Sequence, residues 1–442
     1  MTQLTEDGGI LPAPPLRRWH QAAARLPAAS FPLLDQGIIS LGTFLFNIVL
    51  ARSIALSEYG HYAMALGILL LMQAASSSLI FYPLSIYAAV ADDQRRRDLI
   101  LSSLLLTALV CVPMTLLLGT LLWWLIDTSL LLPAFAVLAA GQLQEAVRRG
   151  LLSGLRHGTA IIGDSVRYLG QVALLAATAH WLPLHLPAAL YVMAVASLLG
   201  AGIQLAQSRI GGARLLALLP LARDFWRLGQ WSLTSNVLGI ARTQCLPWLL
   251  GALSGPAAAG AFQIAMNIFN LTTPIVIGIC NIVPQMAARA LPQGYRAAWQ
   301  ASWPLIATGA PIILLGSTAM LIAPHAFVAL FYGDAMRSDA IAAGIRVLAG
   351  GAIFAYASSA ACAFLHGVNG GRDGLLADLA STMVMLVLAV PLTVAYGLAG
   401  GCLALAAALA ARTVFLVASI VRRLAETTAD DGPLQVSTAA SR

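Results

Sequence analysis

The sequence predicts an all-α integral membrane protein. About twelve transmembrane helices form two six-helix bundles, related by pseudo-two-fold symmetry around a central cavity. Three observations lead there. The 442 residues are 59% hydrophobic and only 10% charged, with a mean hydropathy of +0.83. Water-soluble domains carry about 25% charged residues, so this chain lacks the polar groups to cover a wetted surface. Apolar runs long enough to cross a hydrocarbon core of roughly 30 Å as helices recur along the chain. Arginines fall on alternate loops. The alternating ten-residue pattern of a membrane barrel is missing.

The elements follow in order. Residues 1–30 are polar and Pro-interrupted with no apolar h-region, and read as a cytoplasmic tail and not a signal peptide. The spans are 33–54, 61–90, 99–125, 130–149, 158–181, 186–207, 229–253, 260–286, 301–323, 340–366, 374–396 and 398–421. The resulting organisation is an N-terminal bundle over 31–207, a linker over 208–228, a C-terminal bundle over 229–422 and a cytoplasmic tail over 423–442. The linker, "SRIGGARLLALLPLARDFWRLG", interleaves Leu and Phe with Arg and suits a helix lying on an anionic inner leaflet. The loop "ADDQRRRD" (91–98) is a solvated, net-positive turn.

All 25 basic residues are Arg, and there is no Lys. With the N-terminus inside, the outer loops receive only Arg52 and Arg337. Arg167, Arg242, Arg346 and Arg412 fall within spans, and every other Arg lies in a cytoplasmic segment. This is the positive-inside pattern, and removing one span would scramble it. Both ends are therefore expected in the cytoplasm. A P-loop needs G-x-x-x-x-G-K, so the absence of Lys excludes one.

The two halves echo each other. "ARSIALSEYGHYAMA" (51–65) returns as "GALSGPAAAGAFQIA" (251–265), with Gly60 on Gly260, Tyr62 on Phe262, Ala65 on Ala265 and Ile68 on Ile268. Pro83 and Pro284, Pro113 and Pro311, and Asp164 and Asp378 follow in the same order. An even number of spans per half gives both halves one orientation, related by an axis along the membrane normal.

The segment "LLDQGIISLGTFLFNIVLARSIALSEYGHYAMALGILLLMQ" resembles the first two spans of Wzx-type polysaccharide and O-antigen flippases, within the multidrug/oligosaccharidyl-lipid/polysaccharide exporter superfamily. Ala51-Arg52 and Glu58-Tyr59-Gly60 supply the family's span-turn-span pattern, and "RRGLLSGLRHG" (148–158) resembles its basic inner loop. The likeness is clear over about residues 30–160 and topological beyond them; many relatives have fourteen spans. The resemblance implies two bundles facing a cavity in a bacterial inner membrane. It implies translocation of an undecaprenyl-pyrophosphate-linked oligosaccharide for O-antigen, capsule or exopolysaccharide synthesis. Expected partners are that lipid-linked substrate, membrane lipids, and a polysaccharide polymerase and chain-length regulator.

Charges at membrane depth should face a cavity or a partner. Arg242 sits mid-span with no acid at i±3 or i±4. It is either a cavity cation whose fork suits pyrophosphate or a sugar acid, or a structural cation bonded to carbonyls or another helix. Gln263, Asn267, Asn270, Pro274, Asn281 and Gln285 share one helical face. The amides either line a wet cavity that meets sugars or glue packed helices. Arg52, Arg346 and Arg412 complete the candidate cations. Asp164 and Arg167 are i, i+3 neighbours and read as a structural ion pair, with Tyr168 and Gln171 nearby. Asp378 has no such Arg and reads as an unpaired carboxylate open to protonation. Asp35, Glu145, Asp164 and Asp378 are the candidate ion-coupling residues.

No nucleophile–base pair, zinc spacing or glycine-rich nucleotide loop is visible, so no enzymatic activity, cofactor, metal, nucleotide or nucleic acid is expected. The five Cys (Cys111, Cys245, Cys280, Cys362 and Cys402) lie in apolar runs without C-x-x-C spacing and read as free thiols. The leading expectation is ion-gradient-coupled alternating access. The alternatives are a multidrug or small-molecule cation antiporter, disfavoured by basic charge in the spans, and a membrane-embedded polysaccharide polymerase, disfavoured by short outer loops.

Overall fold

A computed structural model describes residues 30–125, 127–154, 156–208 and 210–430. A few side chains inside these ranges, Arg242 among them, lie outside the description. The described chain is helical throughout, with no strand among the described residues.

The first bundle contains α1 (Ser30–Ser53), α2 (Leu56–Ser76) continued by α3 (Tyr82–Ala89), α4 (Asp93–Leu125), α5 (Leu131–Ser153), α6 (His157–Trp181) and α7 (Leu186–Ser208). The second contains α8 (Leu218–Ser254), α9 (Pro256–Phe269) continued by α10 (Thr273–Ala290), α11 (Tyr295–Ile322), the short α12 (Pro324–Tyr332), α13 (Asp339–Gly367) and α14 (Gly371–Asp430). Ten of these helical stretches are long and apolar enough to cross a membrane by length and composition. The helix α8 is outside that set. The α14 stretch counts once, although Gly397 (φ 55°, ψ −131°) breaks it into two spans. With both taken into account there are twelve spans, as the sequence predicts. Between α4 and α5, Asp127 accepts from the Ser129 N–H at 2.8 Å, and that bond holds its carboxyl below the usual range.

Two long spans are irregular, each just ahead of a proline. Pro83 has no N–H for the carbonyl four residues back, and the helix widens to a π turn over Ser77–Phe81. Pro274 likewise gives nothing to the Asn270 carbonyl, and the chain tightens to a 3-10 turn over Asn270–Thr272. The amide-bearing face expected to run unbroken from Gln263 to Gln285 is therefore interrupted at Asn270.

The linker departs from a single surface helix. Residues 210–217 are irregular and tied to α4. The Arg214 N–H donates to Asp98 Oδ1 at 2.7 Å, and the Leu216 N–H to Ser102 Oγ at 2.9 Å. Helix begins at Leu218 and continues into the seventh span. One apolar face is covered by protein, Leu221 and Phe225 being buried with Ile80, Phe81 and Leu84 and Phe225 stacking on Tyr87 at 5.8 Å, while Leu219 and Trp226 stay exposed.

The loops at one end of the molecule carry Arg95–Arg97, Arg148, Arg149, Arg214, Arg289, Arg372 and Arg422. Among the described residues, the opposite end carries only Arg52 and Arg337. These are called the arginine-rich and arginine-poor ends. Packing differs between them. Toward the arginine-poor end one apolar core is shared by both bundles, joining Phe46, Leu50 and Tyr59 to Phe262, Ile264 and Tyr332. Toward the arginine-rich end there are two cores, one around Phe81 and Leu99, the other around Val283, Phe364 and Leu416.

Candidate functional site

The echoed residues meet at the pseudo-two-fold axis. Gly60 and Gly260 face each other, and a Cβ on Gly60 would lie 1.7 Å from the Pro256 carbonyl oxygen, one on Gly260 2.4 Å from that of Leu56. Only glycine permits α2 and α9 to approach so closely. Tyr62, Ala65 and Ile68, and their counterparts Phe262, Ala265 and Ile268, are all buried in the shared core.

Around this crossing the arginine-poor end is sealed by polar bonds between bundles. Asn267 Nδ2 donates to Tyr59 Oη at 2.9 Å and to Tyr332 Oη at 3.1 Å. Tyr59 Oη donates to Asn47 Oδ1 at 3.0 Å, and Gln263 Nε2 to Asn267 Oδ1 at 3.1 Å. Arg52 donates from Nε to the Phe331 carbonyl (2.6 Å) and from Nη2 to that of Leu330 (2.7 Å). These are last-turn carbonyls of α12, where a cation also meets the negative end of the helix dipole. The expectation of Arg52 as a cavity cation is thus corrected: it is a tether between bundles, because unsatisfied carbonyls lie within its reach.

Below the seal a cavity of about 470 Å³ lies between α1 and the α9–α10 junction, lined by Ser40, Thr43, Asn47, Asn267 and Asn270 among others. A second, of about 220 Å³, lies inside the first bundle, lined by residues of α1, α2, α5, α6 and α7. Ile39 and Thr43 of α1 line both, so only α1 separates them. The opposite seam, α2 against α8, is in contact near the arginine-rich end and holds an apolar groove of about 350 Å³ farther along, lined by Gly67, Ile68, Cys245 and Trp248 among others. Gly229 seats on the Ser78 carbonyl of the π turn, and Asn236 Nδ2 donates to Ser78 Oγ at 2.8 Å.

Asn267 and Asn270 reach the larger cavity, with Gln263 behind Asn267. Asn281 does not: it lies beyond the 3-10 turn, exposed, its carbonyl accepting from Gln285 Nε2 at 3.3 Å. Arg242 falls in α8, but its side chain lies outside the described residues. Arg346 is exposed on α13 and lines neither cavity.

The acids are drawn together in one cluster, and the partner of Asp164 is not the expected one. Asp164 pairs with Arg148, not with Arg167: Arg148 Nε lies 2.7 Å from Asp164 Oδ2. Arg148 also reaches Asp35 Oδ2 at 2.6 Å and Glu145 Oε1 at 3.4 Å, and Arg149 meets Glu145 at 2.6 Å. Gln144 and Gln204 both donate to Asp164 Oδ1, at 2.8 and 3.1 Å. Asp35, Glu145, Arg148 and Asp164 are all buried. Arg167 instead donates to Gln144 Oε1 and lies over the Tyr168 ring, 4.9 Å from its centroid. The i, i+3 spacing misled because Arg148, from α5, lies across Asp164 within bonding distance and outcompetes the local partner.

The second bundle repeats the motif. Asp378, expected to be unpaired, is bonded to Arg412 Nε at 2.8 Å, and Arg412 Nη1 donates to Ser358 Oγ at 3.2 Å. The expectations of a lone carboxylate at Asp378 and a cavity cation at Arg412 are both corrected: the last two spans pack side by side and the two charges neutralise each other. The residues that pattern reading missed are Asn47, Gln73, Gln142, Gln144, Gln204 and Tyr332. Their signal was weak, since a lone amide or Tyr in an apolar span has no periodicity.

Two helical bundles sealed at one end, with cavities between and within them, define a multi-pass membrane protein of two-lobed, twelve-helix fold. A family model described as "Polysaccharide biosynthesis protein" matches residues 29–288, and the chain belongs to that family. No curated protein matches. Among solved structures, an inward-facing multidrug resistance MATE family transporter of the MOP superfamily superposes with a TM-score of 0.72 at 13% identity, covering 92% of this chain and 100% of that one. The lipid II flippase MurJ in an inward closed conformation gives 0.73 at 10% identity, covering 89% and 87%. An outward-facing MATE family transporter gives 0.57 at 16% identity, covering 91% and 94%. At these identities the likeness is one of fold.

Proposed function

We propose that this chain carries a lipid-linked oligosaccharide, with an undecaprenyl-pyrophosphate carrier, across a bacterial inner membrane by alternating access. The observation that carries the reading is the seal at one end joined to a polar cavity on one seam. The bundles share a core, a tether and a hydrogen-bond network at the arginine-poor end, and part around a 470 Å³ cavity on the α1/α9–α10 seam. A cavity on a seam lets a lipid tail stay in the bilayer while the polar head group enters. Family membership supports the glycan, and the better superposition on inward conformations agrees with closure at the arginine-poor end. The arginine-rich end is then cytoplasmic. Asn267 and Asn270 meet the head group, and Arg242 is retained as the candidate for the pyrophosphate. Coupling to an ion gradient enters at the Asp35–Glu145–Asp164 cluster, where Asp35 Oδ1 is buried without a hydrogen-bond partner.

The test is complementation of a flippase-null strain, reading on which leaflet the lipid-linked glycan accumulates. Restored surface polysaccharide with the wild-type chain, and glycan retained on the inner leaflet with Arg242→Ala at normal insertion, is the expected result. Failure of the wild type, with drug resistance conferred instead, would replace this reading with a small-molecule exporter.

A further inference from the structure

The 220 Å³ cavity of the first bundle has more hydrogen-bonding capacity than the protein uses. Its wall carries Tyr62, Gln73, Gln142, Arg167, Tyr168 and Gln171. Of these, only Arg167 makes a side-chain hydrogen bond to a described residue, a single one to Gln144. Gln142 is 3% exposed, and its Oε1 is buried with no partner. A polar atom shut from solvent without a partner is costly, and on this wall Gln142 Oε1 is such an atom; with the other amides and phenols beside it, it points to an occupant that bonds to them.

The chemistry of the wall selects the occupant. Amides and phenols both donate and accept, and so do sugar hydroxyls, whereas a carboxylate or phosphate only accepts. The unpaired Gln142 oxygen needs a donor, and a turn about the broad terminal torsion presents either end of that amide to the cavity. Charge points the same way. Through Gln144, Arg167 joins the cluster in which Asp35, Glu145 and Asp164 face Arg148 and Arg149. Three carboxylates then balance three guanidiniums, and no net cation is left for an anion. The volume equals about seven waters at ~30 Å³ each, room for one sugar ring, with the Tyr62 and Tyr168 rings as apolar walls.

We propose that this pocket holds one uncharged, hydroxyl-bearing sugar ring of the carried glycan, while the carrier's phosphates stay in the interlobe cavity across α1. The inference rests on the flippase reading for the source of that sugar, but its test does not. Gln142→Cys is placed in the full-length chain in inside-out membrane vesicles and labelled with N-ethylmaleimide, the rate at residue 142 being read by peptide mass. N-acetylglucosamine or methyl glucoside is expected to slow labelling at least threefold. Glucuronate and sorbitol at equal concentration, and the native cysteines, are expected to show no change. No protection by either neutral sugar, or equal protection by glucuronate, overturns the proposal. If Gln142→Cys does not insert, Gln73→Cys reports on the same wall by the same criteria. A chain that fails complementation yet shows sugar protection loses the flippase reading and keeps the pocket. One that complements fully with Gln142→Leu and Gln171→Leu combined keeps the function and loses the pocket.

Discussion

Arg148 illustrates how much one buried cation carries. It alone touches Asp35, Glu145 and Asp164. Removing one partner of a buried ion group costs about 3–5 kcal/mol, because the remaining charges stay desolvated. Arg148→Ala is therefore expected to lower the thermal unfolding midpoint sharply or prevent accumulation in the membrane. Adding Asp164→Asn should recover part of the loss, since it removes one stranded charge. Unchanged stability of the single variant would show that the cluster is wetter than its burial indicates. Arg52 works differently. It is exposed and holds two helix-end carbonyls, so its loss should shift a conformational balance without unfolding the chain. Charge-assisted bonds contribute about 1.5–3 kcal/mol when sheltered, and less at an exposed site. Arg52→Ala should raise the population open at the arginine-poor end by roughly tenfold. Distances between spin labels at Asp127 and Asp334, one in each bundle, would show it as a growing long-distance fraction.

At the scale of elements, the α2/α9 crossing is the point the closed state cannot do without. Alanine at Gly60 would drive its Cβ into the Pro256 carbonyl, which is backbone and cannot swing aside. Overpacking costs about 1–3 kcal/mol where neighbours can move, and more where they cannot. Gly60→Ala and Gly260→Ala are both expected to hold the arginine-poor end apart and to abolish transport with insertion retained. The Asp127–Asp334 label distance checks this, and an unaltered closed distance would remove the crossing from the mechanism. The breaks ahead of Pro83 and Pro274 sit in the spans flanking the two seams. The π turn supplies the Ser78 carbonyl that α8 packs on, and the 3-10 turn places Asn270 on the cavity wall.

At the scale of the whole molecule, the seal and the cavity define a sidedness that can be measured. A reporter active only outside the cytoplasm should be active when fused after Gly255 and inactive after Gly212. The reverse result would invert the mechanism, since the sealed end would then face the cytoplasm. The two bundles are also unequal in their polar interiors. The first holds a three-acid cluster and a pocket of uncommitted amides; the second holds the compact Asp378–Arg412–Ser358 group. Two halves of one fold have diverged toward different tasks, with the glycan pocket in the first half and α9 and α10 of the second lining the interlobe cavity.

The membrane class, the twelve spans and the duplication were legible in the sequence, because hydropathy, arginine alternation and the Gly60/Gly260 echo are local or periodic signals. The echo even marked the axis, since a close helix crossing needs glycine in both copies. Part of the cavity wall was legible too, in Asn267 and Asn270. The pairings were not. Asp164 with Arg148, Asp378 with Arg412 and Arg52 with the end of α12 join residues on different helices, and a charge bonds to whatever lies within about 3 Å, not to what is near in sequence. The sequence determined which residues had to be satisfied inside the membrane; only the tertiary structure decided by whom, and left the amides of the first-bundle pocket without an answer from the protein itself.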